Sequence, residues 1–217
     1  MKSMDRDVKR RTYDASHRQA RSAETRQKIL EAARGLILAK GYRATKIADI
    51  AAEAGVNLDT VYELVGRKSV VLRELIEQAI SGIGRPVIAE ERDYVKAIQQ
   101  EPDPAKKLSL YANAVCKVQG RMAPLFLALR DASSTEPEAQ QVWREISERR
   151  ADNMRKLVRD IRGSGRLRAG LSVDQAADVV WAMNSSELYV LLTVERGWSS
   201  RRYASWLSDA WCRLLLD

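Results

Sequence analysis

One phenylalanine, one histidine and two cysteines among 217 residues leave few routes to several common chemistries. The lone histidine, His17, lies in a polar N-terminal stretch. That excludes a Ser/His/Asp or Cys/His arrangement within a folded site, and any multi-histidine metal centre. No glycine-rich phosphate loop is present, so neither an enzyme nor a cofactor or metal is expected. Cys116 and Cys212 both fall in helical patterns and read as reduced thiols of a cytosolic, cytoplasmic protein. No apolar run reaches membrane-spanning length. The N-terminus is charged and lacks the apolar segment of a signal peptide. β-Branched runs are scarce, no strand pattern competes with helix, and no repeat is found.

What the chain has in quantity is Ala, Leu, Arg and Glu, all good helix formers, so the expected class is all-α. At 45% hydrophobic and 30% charged the composition is that of a globular protein with one domain or two small ones. The net charge of +8 is unevenly placed. Residues 1–85 hold 17 Lys/Arg against 11 Asp/Glu, whereas residues 86–217 hold 20 against 18. A basic N-terminal end either favours polyanions, through counterion release, or is a solvated basic surface.

Residues 1–23 show no clean apolar period and carry Lys2, Arg6, Lys9, Arg10, Arg11, Arg18 and Arg21. They read as a mostly disordered basic arm. From Thr25 a helical period begins, with Ile29, Ala33, Leu36 and Ile37 on one face and Gly41 as its stop. Thr45 reads as the N-cap of a second helix that ends at Ala54, and Gly55 supplies the positive φ of a tight turn. Asn57 reads as the cap of a third helix, Leu58 to about Leu64, anchored by Val56, Val61 and Leu64. A fourth helix starts near Lys68 and closes at "SGIGRP". Later breaks are expected at "EPDP", Gly120, "STEP", "GSG" and "RGWSS". The helices between them include Pro137 to Arg162, an almost wholly apolar helix over 174–195, and a last helix over 200–216.

Two short helices joined by a glycine turn form a helix-turn-helix, whose second helix fits the major groove of DNA. Its first turn would place Asn57, Leu58, Asp59 and Thr60 toward the bases, with Thr45 and Lys68 at flanking helix N-termini clamping phosphates. The run from "TRQKILEAARGLILAKGYRATKIADIAAEAGVNLDTVYELVGRKS" onward to Glu77 resembles the N-terminal domain of tetracycline-repressor (TetR) type transcriptional regulators. The features that carry the resemblance are Ala32-Ala33, Gly41-Tyr42, Thr45, Ile50-Ala51, Ala54-Gly55-Val56, Thr60-Val61-Tyr62 and Lys68. The segment "ERGWSSRRYASWL" is similar to the end of many actinobacterial members. The resemblance implies phosphate contacts from Thr45, Thr60, Tyr62 and Lys68, and base-facing positions for Asn57, Leu58 and Asp59, and Lys46 joins them as an expected DNA-binding residue. Three positions depart from the family pattern: Val65 stands for Phe, Asp59 for Gly and Ser69 for Glu. Asp59 either accepts from cytosine N4 or favours the helix N-terminus.

The implied organisation is a helix-turn-helix DNA-binding domain over residues 24–67 and a helical ligand-sensing and dimerisation domain over 68–217. The expected partners are double-stranded DNA with a palindromic operator, a small apolar effector, and a second copy through the 174–195 and 200–216 helices. Trp206 and Trp211 suit interface anchors; the other reading of these helices is an intramolecular core. Tyr111, Met122, Phe126, Trp143, Met154 and Trp181 line a ligand pocket or are plain core. Asn184 and Glu187 sit in the most apolar helix and need partners, from the chain, a mate or a ligand. The overall expectation is a repressor released from its operator by effector; the rival reading is an architectural DNA binder without one.

Overall fold

The computed structural model describes residues 3–217, with side chains described from His17 onward. Among the described residues the regular structure is helical, and the one pairing of extended backbone is an isolated antiparallel bridge between Leu167 and Leu216. In chain order the helices are α1 (Ser3–Lys40), α2 (Ile47–Ala54), α3 (Leu58–Leu64), α4 (Lys68–Ser81), α5 (Asp93–Gln100), α6 (Pro104–Ser133), α7 (Pro137–Gly163), α8 (Val173–Met183), α9 (Ser186–Val190) and α10 (Ser200–Leu215). None of them is long and apolar enough to cross a membrane. Cys116 and Cys212 are both free thiols.

The chain divides into two compact units between Leu75 and Ile76. The sequence placed the boundary at 67/68, where α4 begins. The first two turns of α4 belong with the N-terminal unit because Val71, Leu72 and Leu75 are buried there and Glu74 forms a two-pronged ion pair with Arg26 of α1. Arg26 also donates from Nε to the Leu64 carbonyl at 3.0 Å, so one guanidinium ties α1, α3 and α4.

In the N-terminal unit the predicted periods hold in the main, although Leu36, Ile47 and Leu64 are only half-buried and Leu30 joins the core. Ile29, Leu30, Ala33 and Ile37 of α1 are buried with Ile50 and Ala51 of α2 and Val61 of α3. Gly41 and Gly55 take φ of 84° and 67°, values that L side chains rarely adopt, and each ends a helix. α1 extends back to Ser3, where the sequence suggested a disordered arm through residue 23. No glycine or proline interrupts residues 3–34, and the segment is rich in strong helix formers, so propensity alone extends the helix. The Lys2, Arg6, Lys9, Arg10 and Arg11 side chains of the expected arm lie outside the described residues.

In the second unit α6 is the central element, with α5, α7, α9 and α10 against it and α8 on α7. It runs unbroken through Gly120, where a break was expected, and through the exposed Pro124. Packing overrides the local signals, since Tyr111, Val115, Met122, Phe126 and Leu129 are all buried along its length. The expected 174–195 helix is a second correction. It stops at Met183, restarts as α9 behind Ser185, whose hydroxyl accepts from the Leu188 amide at 3.2 Å, and ends in a π turn over Leu191–Glu195. Trp211 is a third. It is fully buried and stacks on Tyr111 at 5.3 Å, so it anchors its own core and not an interface.

Candidate functional site

The helix-turn-helix is built as the spacing requires. Gly55 turns the chain, Asn57 with φ −73° and ψ 154° begins α3, and the fully buried Val61 pins α3 to its unit. What remains on the outside is the chemistry. Asn57, Leu58, Asp59, Tyr62 and Glu63 are exposed, with Leu58 at 43% and Tyr62 at 49%, high for an apolar and an aromatic side chain. Thr60 is half-buried. The Asn57 side chain makes no capping bond, so its amide is not spent on the helix end.

Lys68 opens α4. Its ammonium lies 4.1 Å from the centroid of the Tyr42 ring and donates to the Tyr42 carbonyl at 3.3 Å. Both contacts steady the side chain without neutralising its charge. The turns before α2 and α4 also expose Arg43 and Arg67. Lys46 is exposed at the N-cap of α2, and its amide donates to Asp49 at 3.3 Å. Lys40 reaches the same carboxylate at 2.6 Å and is the main cause that holds Asp49 below its ordinary pKa.

Thr45 does not stand where the sequence put it. It is fully buried, and its hydroxyl donates to the Gly41 carbonyl at 2.8 Å. Lys46 takes the cap position instead. The residue therefore fixes the turn between α1 and α2 and presents no group to a phosphate in this conformation.

The second unit holds a cavity of about 320 Å³. Of the eight expected ligand residues, Tyr111, Met122, Met154 and Asn184 line it. Phe126, Trp143, Trp181 and Glu187 do not. Phe126 is buried against Trp143, their centroids 4.6 Å apart, Trp181 sits under the Arg150 guanidinium at 5.3 Å, and Glu187 pairs with Arg130. Asn184, like Glu187, finds its partners within the chain. Asn184 donates from Nδ2 to the Tyr111 hydroxyl at 2.7 Å, while its backbone carbonyl accepts from Gln119 at 2.9 Å and Arg150 at 2.7 Å. Those two donors hold the carbonyl at which α8 ends, and they account for the helix break.

The cavity also presents groups the sequence did not single out: Arg92, Arg149, Arg150, Lys156, Glu90 and Asp160. Burial lowers the Arg150 pKa, with Tyr111 and Glu187 opposing. Burial likewise raises the Tyr111 phenol well above its ordinary value, so its proton stays on the oxygen. These cations lie in runs such as "SERRADNMRK", which read as a solvated helix face. Only the covering by α5 and the Ala89–Glu91 turn puts them around a partly open cavity.

Residues 29–75 match the family described as bacterial regulatory proteins, tetR family. No curated protein matches the chain in sequence. Among solved structures the chain is similar to NalD of Pseudomonas aeruginosa, the secondary repressor of the MexAB-OprM multidrug efflux pump. That likeness has a TM-score of 0.69 at 22% identity, over 90% of this chain and 98% of that one. It is similar to the transcriptional regulator FadR of Bacillus subtilis, solved with stearoyl-CoA, with a TM-score of 0.69 at 19% identity over 86% and 97% of the two chains. A transcriptional regulator from Saccharomonospora viridis in complex with choline gives 0.67 at 21% identity over 90% and 99%. Likenesses at these identities establish the fold.

Proposed function

We propose that this TetR-family transcriptional regulator is a repressor that holds a palindromic DNA operator as a homodimer and leaves it when a small molecule fills the cavity of its second unit. The observation that carries the reading is the outer face of α3. A helix of seven residues, pinned by Val61, exposes Asn57, Leu58, Asp59, Tyr62 and Glu63 while basic side chains mark the turns on either side. A lone helix of that length is unstable in water. Its exposed polar and aromatic side chains are positioned to meet the edges and backbone of a groove. Lys46, Thr60, Tyr62 and Lys68 are the phosphate contacts in this reading, and Asn57, Leu58 and Asp59 face bases. Thr45 supports the turn from behind.

The apolar side chains left outside on the last elements support the dimer. Leu191 (46%), Val194 (70%) and Leu214 (44%) are exposed on the π turn and α10, with Trp206 half-buried beside them in sequence. The cavity supports an effector and argues against a purely architectural binder, since a largely apolar cavity with a few polar groups is a ligand site by default. α4 begins at Lys68 and carries Ile80, a wall residue of the cavity, on its last turn. A shift of that helix on ligand binding is the coupling we assign, acting in the cytoplasm where the operator is.

The test is selection of duplexes from a random pool by the purified chain, with sedimentation of the complex. The reading expects a two-fold symmetric site with half-sites about 10 bp or a multiple apart and a protein dimer on it. A monomer with no enriched palindrome contradicts it.

A further inference from the structure

The cavity wall is not neutral. Lys156 pairs with Glu90 at 2.9 Å and Arg149 pairs with Glu77, while the carboxylate of Asp160 pairs with Lys107 from outside the wall. Among the described residues no carboxylate forms an ion pair with Arg92 or Arg150, and Glu90 and Glu187 act on them only from farther off. Arg92 gives Nε and Nη2 to the Val87 carbonyl at 3.1 and 2.9 Å and Nη1 to the Tyr94 hydroxyl at 3.3 Å. Arg150 gives only Nη2, to the carbonyls of Asn184 at 2.7 Å and Trp181 at 3.4 Å. Its guanidinium is clamped between the Phe126 and Trp181 rings, at 5.5 and 5.3 Å from their centroids. A guanidinium is a fixed fork of five donors matched to a carboxylate. Here the fork is half used, held still, and removed from most of the water that would otherwise solvate it.

The Tyr111 hydroxyl points to the same conclusion. It accepts from Asn184 Nδ2 at 2.7 Å, and its own proton goes to the Met154 thioether sulfur at 3.1 Å. A thioether is a weak acceptor. The Asn184 bond fixes the hydroxyl as a donor, and that donor has no strong acceptor. Apart from Gln99 and Asn153 the rest of the wall is apolar: Ile80, Val95, Ile98, Val115, Val118 and Leu157 among others.

We propose that the cavity takes a monocarboxylate with an apolar body, its carboxylate seated between the Arg150 guanidinium and the Tyr111 hydroxyl. The inference rests on the effector reading of this cavity and narrows it from an apolar ligand to an anionic amphiphile. The carboxylate supplies the missing counter-charge and a strong acceptor for the phenol, and the apolar body covers the aliphatic wall. A cation of the same shape would be repelled by the two guanidiniums that lack a carboxylate partner. The volume lies near the lower end of the ~300–1,000 Å³ range for small-molecule sites, so the body is compact.

Calorimetry on the full chain tests this with octanoate, decanoate and indole-3-acetate, each against its alcohol and its amine. The expected result is binding by at least one carboxylate, at least tenfold tighter than its alcohol, with no binding of the amines. Arg150→Gln should lower that carboxylate-over-alcohol preference roughly 10- to 100-fold, the size of a lost charge-assisted hydrogen bond. Arg150→Lys should restore part of it, and Tyr111→Phe should lower it less. The preference is a ratio within one folded protein, so a variant that is merely less stable leaves it unchanged. Binding of the alcohols or amines as tightly as the carboxylates overturns the inference and leaves the effector reading standing. Equal preference in Arg150→Gln overturns it too. So does the failure of all three carboxylates, and in that case release of operator by other ligands decides the effector reading separately.

Discussion

The two units differ in where their unspent polar side chains point. In the N-terminal unit the core is mostly aliphatic, its buried Thr45 and Glu74 are used up within the unit, and Asn57, Asp59, Tyr62 and Glu63 are turned out to solvent. In the second unit the polar groups are turned in: Gln119, Asn184 and Ser186 are buried, and Arg150 is clamped between aromatic rings. Outward polar groups on a short rigid helix suit an extended polyanion that brings its own water and counterions. Inward ones suit a small molecule that must leave water behind. Under the proposed function the contrast separates a surface for DNA from a chamber for a ligand, and it tells which substitutions should harm which unit.

The largest effect is expected in the sensing unit's core. Trp211→Ala removes a fully buried ring stacked on Tyr111 and should cost about 3–5 kcal/mol in urea unfolding. Leu214→Ala, at 44% exposure one turn on, should cost far less and instead weaken self-association. A Trp211→Ala protein of unchanged stability with a broken dimer would return this residue to the interface.

A middle-sized effect should mark the join of α1 and α4. Glu74→Gln leaves Arg26 without its carboxylate. Loss of one partner of a buried pair costs ~3–5 kcal/mol, and since Arg26 is 41% exposed we expect about 1–2. All five tryptophans lie between residues 143 and 211, in the second unit, so their fluorescence reports that unit alone. Helix loss by circular dichroism should therefore precede the fluorescence change in this variant. Coincident transitions would mean the two units unfold as one.

The smallest effect is a pH dependence. The Asp49 carboxyl is held below its ordinary pKa by Lys40 and by the Lys46 amide. A folded pKa below the unfolded one means that the stabilisation is complete above the ordinary carboxylate value, near 4, and is lost as pH falls through the lower folded value. Helix α2 should loosen below about pH 4 in wild type, and an Asp49→Asn protein should already be loosened at neutral pH. Hydrogen exchange at the Asp49 and Ile50 amides reads this directly. Identical exchange in the two proteins at neutral pH would remove the pair from the account.

The reading surface was legible in the sequence because every signal that builds it is local. Gly55, the helix start at Asn57 and the spacing of Val61 lie within seven residues of one another, and α2, α3 and the start of α4 fall where they were expected, although Asn57 makes no side-chain cap. Thr45 was misplaced because Thr is a good cap and the sequence does not show that its hydroxyl has a nearer acceptor in Gly41. The chamber was half legible. Apolar periodicity found Tyr111, Met122 and Met154, but Arg150 looks solvated in sequence, and its acceptor at Asn184 is 34 residues away. The break after Met183 was hidden for the same reason, since Gln119 holds the Asn184 carbonyl from 65 residues off. Local chemistry sets the helix-turn-helix, whereas contacts between distant helices set the cavity.

One comparison tests the division directly. Affinity for a selected operator duplex is measured across a salt series for wild type, Lys68→Ala with Tyr62→Phe, and Arg150→Gln. The account predicts that the first variant loses affinity and that its slope of log K against log salt falls by about one, the share of one lysine–phosphate contact. Arg150→Gln should keep the wild-type slope and bind the ligand-free operator as wild type does. An unchanged slope in the Lys68 variant, together with a loss in Arg150→Gln, would contradict the account.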